Sequence, residues 1–198
     1  MHRGLPSAQT KQPAWKSIRS VSLEDLACRK TVDDSAAPNG SSIAFLAEFA
    51  GRSLLFSADA HPDVLIAGLR KLARERARVP AGTPAGKVPP LRVDVFKLPH
   101  HGSSANVTLE LLDTVKADHY IISTSGRRFK HPDAEAMARV ITRGRPASNV
   151  TPTLWFNYET STTRPWMNPK LAEQYGYRVC GPEPERSGIS IALSDYVS

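Results

Sequence analysis

Polar side chains that could do chemistry follow three apolar stretches of the chain. Asp59 lies in LLFSADA, His100 and His101 follow VFKLP, and His131 follows IIST and a short polar loop. Strand ends carry reactive groups in α/β folds, because the sheet fixes their positions while the loops leave them exposed. We therefore expect these residues to share one site.

A carboxylate and imidazoles that converge in this way are typical ligands of zinc, with manganese or iron as alternatives. A bound metal lowers the pKa of water and makes a nucleophile at neutral pH. Each residue alone is weak support, because single aspartates often cap helices and single histidines often make structural hydrogen bonds. The prediction of a metal site therefore depends on the three segments meeting.

Ser103 offers a second kind of chemistry. It lies close to His100 and His101, as in a serine and histidine pair, and Asp59 would have to be the acid partner. The string HHGSS lacks the G-x-S-x-G elbow of serine hydrolases, which disfavours this interpretation.

Other polar residues near these segments are weaker candidates for the predicted site. His61 is interpreted as structural because it starts a predicted helix, and His119 because it starts a predicted strand. Asn39 and Ser42 are secondary candidates for lining the pocket.

The elements that must position these residues alternate between strand and helix, which is typical of an α/β layer. Ser22 is the expected N-cap of the first helix, and Gly51 lies in the turn of a predicted hairpin. The predicted helices cover residues 22–30, 61–78, 107–116, 132–144 and 169–176; the hairpin covers 42–58, and further strands cover 91–98, 119–124, 151–158 and 188–193.

Several predicted strands are apolar on both faces. Ile43 and Phe45 alternate with Ala44 and Leu46, and the strand over 91–98 shows the same pattern. Such strands need cover on both sides. The predicted helices are enough to cover one face, so we expect something else to complete the other.

Charge and composition limit the partners and the compartment. The chain has 198 residues and a formal net charge of +7, which favours acidic partners, nucleic acid above all. Its basic runs, however, are not interleaved with aromatic residues as a stacking platform requires. The absence of a long apolar run or a secretory signal predicts a cytoplasmic protein with no membrane partner. Cys28 and Cys180 lie outside any CxxC pattern, so neither predicts a zinc knuckle or a disulfide framework.

Residues 1–20 are predicted to form a flexible basic arm, and 21–198 a single domain. Within this domain, the segments NGSSIAFLAEFAGRSLLFSADA, VFKLPHHGSS and YIISTSGRRFKHPDAEAM, which span about residues 39–145, resemble metallo-β-lactamase-fold hydrolases. The resemblance is to the C-terminal half of the fold, in the branch that includes the hydrolase domain of competence DNA-uptake proteins.

This resemblance implies a four-layer αβ/βα sandwich with a pair of metal ions at the edge of two sheets. Asp59 would be the bridging carboxylate, and His100, favoured over His101, the metal ligand that comes late in the chain. His101, Ser103 and His131 would orient ligands or contact a phosphate-like substrate. The fold expected for this chain is thus half of the sandwich, a mixed sheet with helices on one face.

One departure from the family pattern limits these expectations. The family carries a His-x-His-x-Asp-His string in its N-terminal half, and the histidines here, at 2, 61, 100, 101, 119 and 131, never form it. Two expected ligands are fewer than the roughly three that a catalytic zinc needs. The chain is therefore expected to be a fragment, a split subunit whose other half is a separate chain, or a degenerate domain.

The expected function is metal-dependent hydrolysis, with a phosphodiester or nucleic acid as substrate and full activity not expected from this chain alone. The alternative is a non-catalytic domain derived from that fold, which binds nucleic acid or protein.

Overall fold

The computed structural model describes residues 22–32, 34–146, 149–183 and 188–193. The arm predicted over residues 1–20 lies outside these ranges. The elements in chain order are α1 (Leu23–Ala27), α2 (Ala37–Gly40), β1 (Phe45–Phe49), β2 (Arg52–Phe56), α3 (Pro62–Arg76), β3 (Leu91–Lys97), α4 (Leu109–Thr114), β4 (Val115–Ile122), α5 (Ala134–Arg143), β5 (Thr153–Phe156), α6 (Pro169–Tyr175) and β6 (Arg178–Cys180).

The strands form one mixed sheet of six strands in the order β1 to β6. β1 pairs with β2 antiparallel, and every later pair of neighbours is parallel. A two-residue turn joins β1 to β2, with Ala50 at φ 49° and Gly51 at φ 76°. Positive φ at both positions suits the right-handed twist of a hairpin, which explains the glycine. The predicted α/β class and the predicted hairpin are therefore confirmed.

The helices cover one face of this sheet. Neighbouring parallel strands follow one another in sequence, and crossovers of the usual right hand then place all connecting helices on the same side. One row of paired residues faces that side: Leu55, Phe96, Tyr120 and Leu154 are each at most 2% exposed. The main apolar core thus lies between the sheet and α3, α4 and α5.

The opposite face is only partly covered by the described residues. Phe56 and Ile121, which lie on it, are half-buried, while Phe45 is 52% and Phe49 84% exposed. The rings of Phe45 and Phe56 stack at 5.0 Å between centroids. The prediction that the helices would leave one face thin agrees with this arrangement.

The strand predicted over 188–193 is wrong, because this segment has no strand partner among the described residues. Its alternating apolar residues Ile189, Ile191 and Leu193 instead line a cavity of about 480 Å³ above the partly covered face. The segment lies against the surface of the sheet and not along its edge, so its amides do not extend the ladder. Two elements, α2 and β6, were not predicted, and β4 starts four residues before the predicted position 119.

Within the described ranges, no helix combines the length and the apolar character needed to cross a bilayer.

Tyr120 joins the centre of the sheet to the end of α5. Its hydroxyl donates to the carbonyl of Gly144 at 2.6 Å and accepts from the amide of Ala117 at 3.2 Å, and the residue is fully buried.

We predict that Tyr120→Phe lowers the free energy of unfolding by about 1 to 3 kcal/mol, because two buried backbone groups lose their partner. Urea denaturation measures this. Tyr158→Phe, at a tyrosine that is 48% exposed, is the control; equal stability of both variants would contradict the assignment.

Candidate functional site

The candidate residues lie just beyond the carboxyl ends of three neighbouring parallel strands. Asp59 follows β2 by three residues, His100 follows β3 by three, and His131 comes after β4 and a short loop. Because β2, β3 and β4 are paired in parallel, these ends meet at the same edge of the sheet. The three loops that carry these residues are therefore neighbours in the fold.

Backbone hydrogen bonds join the Asp59 loop to the His100 loop. The amide of His100 donates to the carbonyl of Ala58 at 2.9 Å. The side-chain amide of Asn106 donates to the carbonyl of Ala60 at 3.1 Å, which ties the same two loops again. Asp59 is half-exposed. Burial of Lys97 lowers the pKa of that lysine, and the nearby negative charge of Asp59 partly offsets this effect.

A second set of contacts joins the His100 loop to the His131 loop. The amide of Asp133 donates to the carbonyl of Gly102 at 3.0 Å. The Asp133 carboxylate accepts from the backbone amide of Ser104 at 2.9 Å and from its hydroxyl at 2.8 Å. Gly102 has φ 83°, and a Cβ there would lie 2.8 Å from the Pro132 side chain. Only glycine allows this approach of the two loops.

Three imidazoles form one group, called the histidine cluster: His100, His101 and His131. The His100 ring lies between the other two, with centroids 5.3 Å from His131 and 6.2 Å from His101. Two imidazoles on one tetrahedral zinc have centroids about 5 Å apart, given a Zn–N bond of about 2.0 to 2.1 Å. The pair formed by His100 and His131 is close to that spacing.

Each ring of the cluster is anchored at Nδ1. His101 Nδ1 lies 2.6 Å from the carbonyl of Ser123, and His131 Nδ1 lies 3.3 Å from an oxygen of Asp133. His100 Nδ1 lies 3.2 Å from Asp34 Oδ2 and 3.0 Å from Asn106 Oδ1. Carbonyl and carboxylate oxygens only accept, so these contacts favour the Nδ1–H tautomer of each ring, although the Asn39 side-chain amide, which is a donor, also lies 3.4 Å from His100 Nδ1. In that tautomer the Nε2 lone pair is available to a ligand. Histidines that bind metals are commonly oriented in this way.

Asp34, a residue that the sequence did not single out, is the carboxylate behind His100. Its side chain is 8% exposed. Burial alone raises the pKa of Asp34, but hydrogen bonds from the Ala36 amide, Asn106, Asn39 and His100 outweigh burial and hold the pKa well below its usual range. Asp34 is therefore an anion at neutral pH, and it stabilises the Nδ1–H form of His100.

The backbone around the cluster is strained. Ala58, His100, His101 and Lys130 all have positive φ, at 46°, 43°, 56° and 59°. Side chains other than glycine seldom adopt this conformation, and it persists only where the surrounding structure enforces it. Such strain is typical of functional sites, and here it lies in all three loops that meet.

Arg139 on α5 anchors the segment before Asp34 to the histidine loop. It is 4% exposed and donates to the carbonyls of Ala27, Arg29, Ser104 and Val107 at 3.0, 2.6, 2.7 and 2.9 Å. The periodicity of the apolar residues places position 139 in a helix and says nothing more about it. The partners of the guanidinium come from distant segments, which leave no local pattern. Its role could not be predicted from the sequence.

The remaining candidate residues have local partners. The Ser103 hydroxyl accepts from the amide of Ala105 at 3.3 Å, and the serine that contacts the Asp133 carboxylate is Ser104. His61 Nε2 lies 3.0 Å from the carbonyl of Ala36, and His119 Nδ1 accepts from the Trp155 indole at 3.1 Å. These contacts agree with the structural interpretation of His61 and His119.

A complete metal site is not formed by the residues that the structure describes, among which no three or more His, Cys, Asp or Glu side chains are grouped to hold an ion. What they present is a set of oriented imidazoles next to the Asp59 loop. Of the secondary candidates, Asn39 contacts the site, with its amide 2.7 Å from Asp34 Oδ2.

The depressed pKa of Asp34 leads to a prediction about acid stability. Because the folded-state pKa lies below that of an unfolded aspartate, the carboxylate stabilises the fold at neutral pH, and this contribution is lost as the pH falls below about 4. We predict that Asp34→Asn is less stable than the parent at pH 7 and loses less stability on acidification. Urea denaturation at a series of pH values from 7 to below about 4 measures this.

The control for this prediction is Asp63→Asn, at an exposed carboxylate of α3. Asp94 also has a lowered pKa, because hydrogen bonds from Ser53 and Arg52 outweigh its burial, and it contributes equally in both proteins. If Asp34→Asn followed the parent's pH profile, Asp34 would not be held as an anion.

Comparison of the chain with family models, with curated proteins and with solved structures gave no match in any of the three. The case for a function therefore depends on the geometry of the histidine cluster and on the motif resemblance.

Proposed function

We propose that this chain is the C-terminal half of a metal-dependent hydrolase of the metallo-β-lactamase fold, and that its substrate is a phosphodiester. The single observation that carries the proposal is the histidine cluster, whose three rings are anchored at Nδ1 by acceptors on separate segments. A purely structural histidine needs one such bond, but three adjacent rings that are all held at Nδ1 suit a shared ligand.

Asp59 and His100 are the proposed metal ligands, and zinc is the metal that a carboxylate and imidazoles suit best, with manganese or iron as alternatives. Asp59 supports this assignment because its loop adjoins the His100 loop, so that a carboxylate and imidazoles, the donor types that zinc takes, lie in neighbouring segments. When bound, the metal would supply a water molecule of lowered pKa. The family site holds two ions.

His101 and His131 are assigned to binding and proton transfer. With Nδ1 held by Ser123 and Asp133, each ring can accept a proton at Nε2 or, once protonated, donate to a phosphate oxygen. Ser103 has a weaker claim to such a role, because its hydroxyl already accepts from the Ala105 amide.

The remaining ligands are proposed to come from outside the described residues. The partly covered sheet face supports this, because it exposes Phe45 and Phe49 and leaves Phe56 and Ile121 half-buried. Apolar side chains left open on one face of a sheet suit contact with another element. An αβ/βα sandwich would place its second sheet there, contributed by another part of the protein or by a separate chain.

The alternative function is a non-catalytic domain that binds nucleic acid or protein. The net charge of +7 and the incomplete ligand set among the described residues favour it. The two functions differ in one measurable property, which is zinc affinity at the histidine cluster.

We predict that the purified chain binds zinc and that His100→Ala and Asp59→Ala each weaken binding by more than about ten-fold, since loss of a group that only orients a ligand already costs about that much. Isothermal titration with zinc, together with metal analysis of the purified protein, measures this.

His61→Ala is the matched control, because it removes an imidazole whose Nε2 lies against the Ala36 carbonyl. Circular dichroism checks that each variant is folded. Equal zinc affinity in the parent, His100→Ala and His61→Ala would exclude the metal site and leave the binding domain.

A further inference from the structure

Between β4 and His131 lies a short segment, Arg127–Lys130, called the basic loop. All four residues, Arg127, Arg128, Phe129 and Lys130, are exposed, and Phe129 is 54% exposed. From the sequence, we expected no aromatic residue among the basic ones that could stack on a base. That expectation does not hold at this loop, where Phe129 stands between two cations.

Phe129 packs against the histidine cluster. Its ring centroid lies 6.2 Å from that of His100, edge to face, and 6.0 Å from that of His131, at an angle of 28°. The Arg128 guanidinium lies 5.0 Å from the Phe129 centroid. A large apolar ring, 54% exposed, thus lies directly beside two imidazoles of the cluster, His100 and His131, whereas apolar rings are more often buried in the core.

The base of this loop is held firmly. The carbonyl of His131 accepts from the hydroxyls of Thr162 at 2.8 Å and Thr124 at 3.3 Å. The Gly126 amide donates to the Thr124 hydroxyl at 3.0 Å, and Gly126 has φ 64° with Thr162 Oγ1 only 3.1 Å from where its Cβ would be. The loop therefore presents Phe129 from a fixed base.

The cations of the loop are available to an anion. Within the described part of the chain, none of Arg127, Arg128 and Lys130 forms an ion pair with a carboxylate, although many of the exposed arginines elsewhere do. Unpaired cations next to an exposed aromatic ring match the chemistry of a single-stranded nucleic acid, which offers phosphates and unstacked bases in alternation.

We propose that the basic loop selects single-stranded nucleic acid: one base stacks on Phe129, and Arg127 and Lys130 contact the flanking phosphates. This arrangement brings a phosphodiester to the histidine cluster. The inference rests on the proposed function for the chemistry that follows, but the binding itself needs no metal. A duplex keeps its bases stacked and offers none to Phe129.

The test is fluorescence anisotropy in EDTA with three probes of equal length: an oligothymidylate, an abasic oligomer with the same phosphates, and a DNA duplex. The parent chain is expected to bind oligothymidylate about ten-fold tighter than the abasic oligomer, and tighter than the duplex, since stacking of one base contributes about five- to a hundred-fold in affinity. Phe129→Ala should remove the preference over the abasic oligomer, and Phe129→Trp should restore it.

Two matched controls accompany these variants. Phe49→Ala removes a phenylalanine of the edge strand β1 that is even more exposed, at 84%, and should change nothing. The double variant Arg127→Gln and Lys130→Gln should flatten the salt dependence of binding, because phosphate contacts release counterions, more than Lys71→Gln with Lys170→Gln does.

Equal affinity for oligothymidylate and the abasic oligomer, an unchanged Phe129→Ala variant, or no binding of any probe would each overturn the proposal. Because the probes are read without metal, failure here is distinct from failure of zinc binding. If the chain bound zinc but showed no selectivity for bases, the proposed hydrolase function would still be supported, and the proposed selection of single strands by the basic loop would be wrong.

Discussion

The parallel pairing of β2, β3 and β4 is the constraint on which the candidate site depends. Strands that run in the same direction deliver their carboxyl ends to one edge of the sheet, so the loops that carry Asp59, His100 and His131 begin side by side. Hydrogen bonds between the loops then join His100 to Ala58 and Asp133 to Gly102. Asp59 and His131 are more than seventy residues apart in sequence. Without the parallel ladder, nothing would bring their loops together.

Buried polar groups turn this proximity into orientation. Asp34, Asp133 and the Ser123 carbonyl each hold one imidazole at Nδ1, and Arg139 fixes the segment before Asp34 to the histidine loop. Positive φ at Ala58, His100 and His101 shows that the loops are held in conformations they would not choose alone. Orientation of this kind lowers the entropy lost when a ligand binds, which suits a site for binding or catalysis.

Local patterns predicted much of the fold. The Ser22 cap, the hairpin turn at Gly51 and the helix that begins at Pro62 follow from local side-chain and backbone preferences, and the structure has each. The segment 188–193 was mistaken for a strand, because apolar alternation records which side chains are covered and not whether a neighbouring strand is present to pair with.

The sequence also placed the three histidines of the cluster together but missed Asp34, Asn106, Arg139 and the position of Phe129. An aspartate or asparagine in a loop looks like an ordinary turn residue, and only the fold brings Asp34 to His100 across 66 positions. Arg139 has the same character, since its carbonyl partners lie in segments up to 112 positions away. Contacts between distant loops leave no local pattern to find.

The proposed role of the histidine cluster depends on the three imidazoles carrying a proton on Nδ1, which would leave Nε2 available to a ligand. Two-bond proton–nitrogen correlation spectra of protein labelled with ¹⁵N histidine distinguish the two neutral tautomers directly. The structure predicts the Nδ1–H form for His100, His101 and His131, with the signal of the unprotonated Nε2 shifting when zinc is added. The Nε2–H form at His100 and His131, unchanged by zinc, would contradict it.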